Sequence, residues 1–199
     1  MLEFSNLPGA AEWLNIPLAF ARHAADELAI TAGAQTDWFF DPAGNVQTHN
    51  APVCLFAPDT QSFTLHARVT VAFASDFDAG VLFVYGDETH WAKLCFEFSP
   101  QAEPMLVSVV TRGVSDDCNS VVVSGNTVFL RVYCHKNIWA FHYSPDGAYW
   151  HFVRYFDLGV YENVRVGFSA QSPTGSGCSA VFSSIAYQAR TLNDVRSGE

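Results

Sequence analysis

Between Trp91 and Phe98 the side chains alternate without a slip: Ala92, Leu94, Phe96 and Phe98 fall on one face, Trp91, Lys93, Cys95 and Glu97 on the other. Successive side chains leave opposite faces of a pleated strand, so a period of two commits this stretch to a half-buried β-strand. The same phase runs from Phe63 to Phe73, where Phe63, Leu65, Ala67, Val69, Val71 and Phe73 oppose Thr64, His66, Arg68 and Thr70. That polar row reads as an ordinary solvated sheet face. Val128, Leu130, Val132 and Cys134 alternate in the same way with Phe129, Arg131, Tyr133 and His135. Such segments recur every roughly eight to twelve residues with turn signals between them, which predicts an all-β sandwich.

The punctuation is specific. Ser99 to Pro104 holds two prolines and breaks the chain before Met105 to Arg112, whose β-branched Val107, Val109, Val110 and Thr111 favour a second strand beside the first. Gly113 and then Asp116 and Asp117 are read as its end. Asp76 and Asp78 lie in another turn; with no third ligand at the spacing of a calcium loop, they read as solvated carboxylates. Ser144-Pro145-Asp146-Gly147 makes a hairpin turn with Trp150 beneath it. The returning strand is expected to place Trp150, Phe152, Arg154 and Phe156 on one face and His151, Val153 and Tyr155 on the other. Residues 17–30 suit a short helix, but Leu28 to Thr31 followed by Gly33 suits a strand running into a turn just as well. A single domain over residues 1–189 is followed by a polar C-terminal tail, 190–199, that is expected to fray.

Charged residues make up only 15 % of the 199, and aromatics another 15 %, so most rings must be hidden between sheets or presented for binding. The net charge of −10, with no run of Lys or Arg, argues against nucleic acid and against a polybasic membrane contact. No apolar run approaches a membrane span, and the start, MLEFSNLPGAAEWLN, lacks the pattern of a secretory signal. The five cysteines are scattered without a CxxC pair, which suits buried thiols in a reduced, cytoplasmic protein better than a disulfide framework or a zinc site. No metal and no cofactor are expected.

The segments WAKLCFEF, SVVTRGVSDDC, LRVYCHKNIWAFHYSPDGAYWHFVRYF and GFSAQSPTGSGC together resemble the regulation-of-enolase protein family, over about Thr36 to Tyr187. The resemblance implies a concanavalin A-like jelly-roll sandwich of two antiparallel sheets, an edge strand near Glu27 to Thr31, and a role in carbohydrate metabolism. It implies no particular activity.

If each sheet has one inward and one outward face, the outward polar and aromatic residues are the candidates for binding. These are Trp91, Lys93, Glu97, Ser108, Arg112, Arg131, Tyr133, His142, Arg154 and Gln171. Flat rings at Trp91 and Tyr133 suit a sugar face, and Arg, Glu, Gln and Ser supply directed hydrogen bonds to hydroxyls or a carboxylate. The competing explanation is a set of cross-strand ion pairs on a solvated sheet. His142 has its own competing explanation, a satisfied partner of a neighbour. Three functions remain open: a lectin-like module binding a saccharide or small polar ligand, a carbohydrate-active enzyme, or a non-catalytic regulatory protein with a protein partner in sugar metabolism. The E-x-D-x-x-E carboxylates of glucanases with this fold are absent after Glu97. A polysaccharide lyase would need Arg131, Arg154, His142, Tyr133 and Lys93 to converge.

Overall fold

A computed structural model describes residues 1–160 and 162–199, and among them there is no helix. The strands are β1 (Glu12–Trp13), β2 (Ala19–Ala21), β3 (Leu28–Gly33), β4 (Trp38–Phe40), β5 (Gln47–His49), β6 (Val53–Phe56), β7 (Ser62–Val71) and β8 (Ala79–Tyr85). They continue as β9 (His90–Phe98), β10 (Pro104–Arg112), β11 (Ser115–Val122), β12 (Thr127–His135), β13 (Ile138–Ser144), β14 (His151–Asp157), β15 (Arg165–Gln171) and β16 (Gly177–Ala189). Two seven-stranded antiparallel sheets, in the orders β1-β6-β15-β8-β9-β10-β11 and β14-β13-β12-β7-β16-β3-β2, pack face to face. The fold is the expected all-β, concanavalin A-like jelly-roll sandwich. Strands β4 and β5 form a separate hairpin.

The alternation decides which side chains meet in the middle. Ala92, Leu94 and Phe96 of β9 pack with Leu65, Ala67, Val69 and Val71 of β7 and with Leu130 and Val132 of β12 in one core. Close packing reaches the backbone: a Cβ on Gly167 of β15 would stand 1.8 Å from the carbonyl oxygen of Cys54 on β6, so no larger residue fits. Lys136 and Asn137, both at positive φ, form the two-residue turn that joins β12 to β13 with the twist a hairpin favours.

Four local expectations change. The helix alternative over residues 17–30 is not taken; β3 is the strand there, and β2 lies outside it as the edge. Asp116 and Asp117 do not end a strand but sit within β11. Asp78 is fully buried rather than solvated, and its carboxylate accepts the Ala74 and Ser75 amides and the Ser172 hydroxyl at 2.6 Å. In β14 the pairing with β13 shifts between Phe141 and His142, so Arg154 and Phe156 face the sandwich interior while Phe152 faces outward. A bulge breaks the period of two, which alternation alone does not reveal.

Candidate functional site

The structure divides the ten candidate residues among three places. Trp91, Lys93, Glu97 and Gln171 lie on the outer face of the first sheet. Arg131, Tyr133 and His142 lie on the outer face of the second. Ser108, Arg112 and Arg154 sit on the inward side along the open edge, because Ser108 pairs with Leu94 and Arg112 with His90, not with the outward row. Arg154 of β14 crosses there to the first sheet: its guanidinium donates to the carbonyls of Ser108 and Asp116 at 3.3 Å and pairs with the Asp116 carboxylate at 2.8 Å. Arg112, exposed, donates to the Asp157 carbonyl. The ten candidates therefore do not gather in one place, and the lyase constellation is split across the molecule.

On the first sheet, the β4–β5 hairpin folds over the outer face and makes a second apolar cluster. Trp38 is its centre, edge-on to Trp91 at 5.6 Å and to Phe83 at 5.3 Å, with its indole N–H donated to the Ala51 carbonyl. Trp91 is thereby wholly enclosed and presents no ring to a ligand. Nothing local in the sequence says which sheet face this hairpin covers.

The hairpin stops short of one end of the sheet, where Asp37, Phe39, Phe77, Lys93, Glu97, Val109, Asp117, Gln171, Pro173 and Thr174 line a cavity of about 340 Å³. Gln171, Ala79 and Glu97 fall side by side across β15, β8 and β9, and the small Ala79 between the two long chains leaves the floor open. The Lys93 ammonium donates to Asp37 at 2.8 Å and to the Gln171 side-chain oxygen at 3.0 Å; the Gln171 amide in turn donates to the Phe77 carbonyl. Burial works against the Lys93 charge, but Asp37 beside it outweighs that and holds the ammonium above its usual range. Glu97 has no hydrogen-bond partner among the described residues and is only 9 % exposed. Burial pushes its carboxyl up to about 8, against the opposing pull of Lys93, so at neutral pH it holds a proton and can both donate and accept. Asp117 on the rim is raised by burial in the same sense. Cys95, between Lys93 and Glu97, is raised well above the ordinary thiol by burial and is inert. Asp37, Phe39, Phe77, Asp117 and Thr174 were missed because each comes from a loop or strand remote in sequence from β9.

Part of the second sheet's outer face is covered by residues 190–199, which lie against it. Leu192 packs on Tyr133 and Ala140, with Phe152 and Val195 alongside. The Leu192 amide donates to the Tyr133 hydroxyl at 3.3 Å, His142 Nε2–H to the Val195 carbonyl at 2.6 Å, and Arg131 Nη2 to the Gly198 carbonyl at 2.9 Å. The Arg131 guanidinium also lies 4.2 Å from the centre of the Trp150 ring.

In overall shape the chain is similar to a functionally unknown protein from Saccharomyces cerevisiae, with a TM-score of 0.80, 27% identity, and coverage of 92% of this chain and 97% of that one. It is similar in fold to the GH43 BlXynB protein from Bacillus licheniformis, with a TM-score of 0.65 and 15% identity over 85% of this chain but 38% of that one. The carbohydrate binding module CBM66 from Bacillus subtilis has a TM-score of 0.50 and 11% identity, with 79% and 94% covered. The first shares sequence as well as shape; the last two show the sandwich alone. No curated protein matches the chain. Residues 13–190 match the family described as "Protein of unknown function (DUF1349)", and the chain belongs to that family.

Proposed function

We propose that this protein binds a saccharide, or a small polyol of similar size, in the cavity over Lys93, Glu97 and Gln171. The observation that carries the reading is Glu97, a largely buried residue whose carboxyl has no hydrogen-bond partner among the described residues and lines a cavity together with Phe39 and Phe77. A carboxyl that opens onto a cavity with no partner in the protein has its hydrogen-bonding capacity free for a ligand hydroxyl. The rings offer apolar faces to a sugar, while Glu97, Asp117 and Gln171 offer directed acceptors and donors. Kinship of fold with glycoside hydrolases and a carbohydrate-binding module agrees with this choice of ligand class.

The experiment is a glycan array followed by calorimetry with the retained sugar. Binding that falls at least about tenfold, roughly 1.4 kcal/mol, in Glu97→Ala supports the site. An array with no retained glycan, or one whose hits Glu97→Ala leaves untouched, removes it.

A second reading has its own observation. Glu97 keeps its proton at neutral pH in a cavity that Asp37 and Asp117 also line, which is the chemical pairing a glycoside hydrolase needs of its acid and its carboxylate. Release of reducing ends from a bound oligosaccharide, lost in Glu97→Gln, would favour it over simple binding. The finer resemblance to the regulation-of-enolase family suggests instead a regulatory role in carbohydrate metabolism in the cytoplasm, where free thiols persist. Specific capture of a glycolytic enzyme, together with an empty array, would favour that role.

A further inference from the structure

Beneath residues 190–199, β7, β12 and β13 set His66, Arg131 and His142 side by side in one row across the sheet, since Arg131 pairs with His66 on one side and His142 on the other. Arg190 comes near enough to Arg131 to disfavour its charge, and Trp150 closes over Arg131 and lies 5.7 Å from His66. This is a concentration of positive and potentially positive groups in a protein of net charge −10. Among the described residues, no carboxylate lies within ion-pair reach of any of them. Glu199 lines the cavity of about 330 Å³ that opens beside Arg131 and Arg190, but makes no ion pair with either.

What covers the row is unusual for a stabilising contact. Arg131, 4 % exposed, and His142, fully buried, receive only backbone carbonyl oxygens, and Arg131 Nε and His142 Nδ1 have no partner. Burying a guanidinium with so few acceptors costs stability, and an apolar side chain at either position would carry less of that cost. Burial first, and Arg190 second, depresses Arg131 to about 10; burial first, and Arg131 with it, depresses His142 to about 4 and lowers His66. The carbonyls of Val195 and Gly198 stand where a ligand's oxygens would accept the same hydrogen bonds.

We propose that the row His66, Arg131 and His142 is the floor of a second binding site, for a small molecule carrying a carboxylate or phosphate oxyanion, and that residues 190–199 occupy it as a displaceable stand-in. An arriving oxyanion takes over the Arg131 Nη2 and His142 Nε2 donors, reaches the idle Arg131 Nε, and neutralises the cluster. The segment it displaces gives up the apolar contacts of Leu192 and Val195 and the Arg196 guanidinium over the Phe152 ring.

The test titrates 15N-labelled protein with inorganic phosphate and, separately, with glucuronate, following the Arg131 Nε–H and the His142 ring signals. In Gly198→Val a Cβ would stand 2.6 Å from Arg131 Nη2 and 2.8 Å from Trp150 Cβ, at a φ of +78, which drives the segment off its floor. At least one anion should shift the Arg131 signal, with affinity about tenfold higher in Gly198→Val, and Arg131→Met in that background should abolish the response. Phosphate alone identifies a phosphoryl ligand, glucuronate alone a sugar acid. Leu192→Ser, which loosens the same segment at its apolar anchor, should also raise affinity if Gly198→Val proves too unstable to study. No shift with either anion in any of these proteins, an affinity equal in wild type and the loosened variants, or binding that survives Arg131→Met would overturn the proposal.

Discussion

Each sheet of the sandwich has its outer face covered, and the two covers are made differently. On the first sheet, the β4–β5 hairpin lays Trp38 and Phe40 onto Trp91 and Phe83, so the contact is side chain on side chain and largely apolar. On the second, residues 190–199 meet the sheet through backbone groups hydrogen-bonded to Tyr133, His142 and Arg131, beside a smaller side-chain contact of Leu192, Val195 and Arg196. A cover made of buried rings is part of the core, since it gains the hydrophobic term in full. One made of carbonyls on donor side chains is exchangeable, because other oxygen atoms can do the same work.

Four measurements can break or sharpen that contrast. Trp38→Ala should be the most damaging, about 3–5 kcal/mol in denaturant unfolding, and a loss below about 1 kcal/mol would mean that the hairpin is no core at all. Asp37→Asn strips the buried Lys93 of its counter-charge and should cost about 2–3 kcal/mol, whereas Lys93→Met, which keeps the stem and removes the charge, should cost much less. If both variants lose the same amount, the pair is not acting as a buried ion pair.

Glu97 gives a pH signature. Its carboxyl moves from 4.5 to about 8 on folding, so between those values the folded protein holds a proton that the unfolded chain has released, and stability falls as pH rises through that window. Glu97→Gln should flatten that fall, worth on the order of 2 kcal/mol between pH 5 and 8, in melting curves taken at intervals. A slope unchanged in the variant would place the titrating group elsewhere. The smallest effect belongs to the second cover: Leu192→Ala should cost about 1–2 kcal/mol. In hydrogen exchange, Leu192 should lose protection before any amide of β7 or β12; simultaneous exchange would merge the two covers into one kind.

The sandwich was legible because burial on a sheet obeys a period of two, and β7, β9 and β12 keep that period intact. The candidate site was legible only in part. Lys93, Glu97 and Gln171 were found because polar groups in a strand's outward row stand out, yet the same signal picked Arg131, Tyr133 and His142, which share that pattern on a different sheet. Alternation tells inside from outside; it does not tell one outside from the other. Ser108 and Arg154 escaped even that, since Ser108 takes an inward position at the edge and a bulge reverses the phase in β14. What covers a face comes from remote segments, so Trp91 looked available until Trp38 was seen lying on it.

The Arg154 bridge, finally, fastens the two layers together at one margin. One guanidinium anchored on the outermost strand of one sheet grips both main-chain carbonyls and a carboxylate on the other, at the margin where Arg112 also reaches across to the Asp157 carbonyl. Splaying of the layers at that margin must first unfasten this clasp. High salt, which weakens its exposed half, should therefore let solvent in at the β11 side before the β2 side.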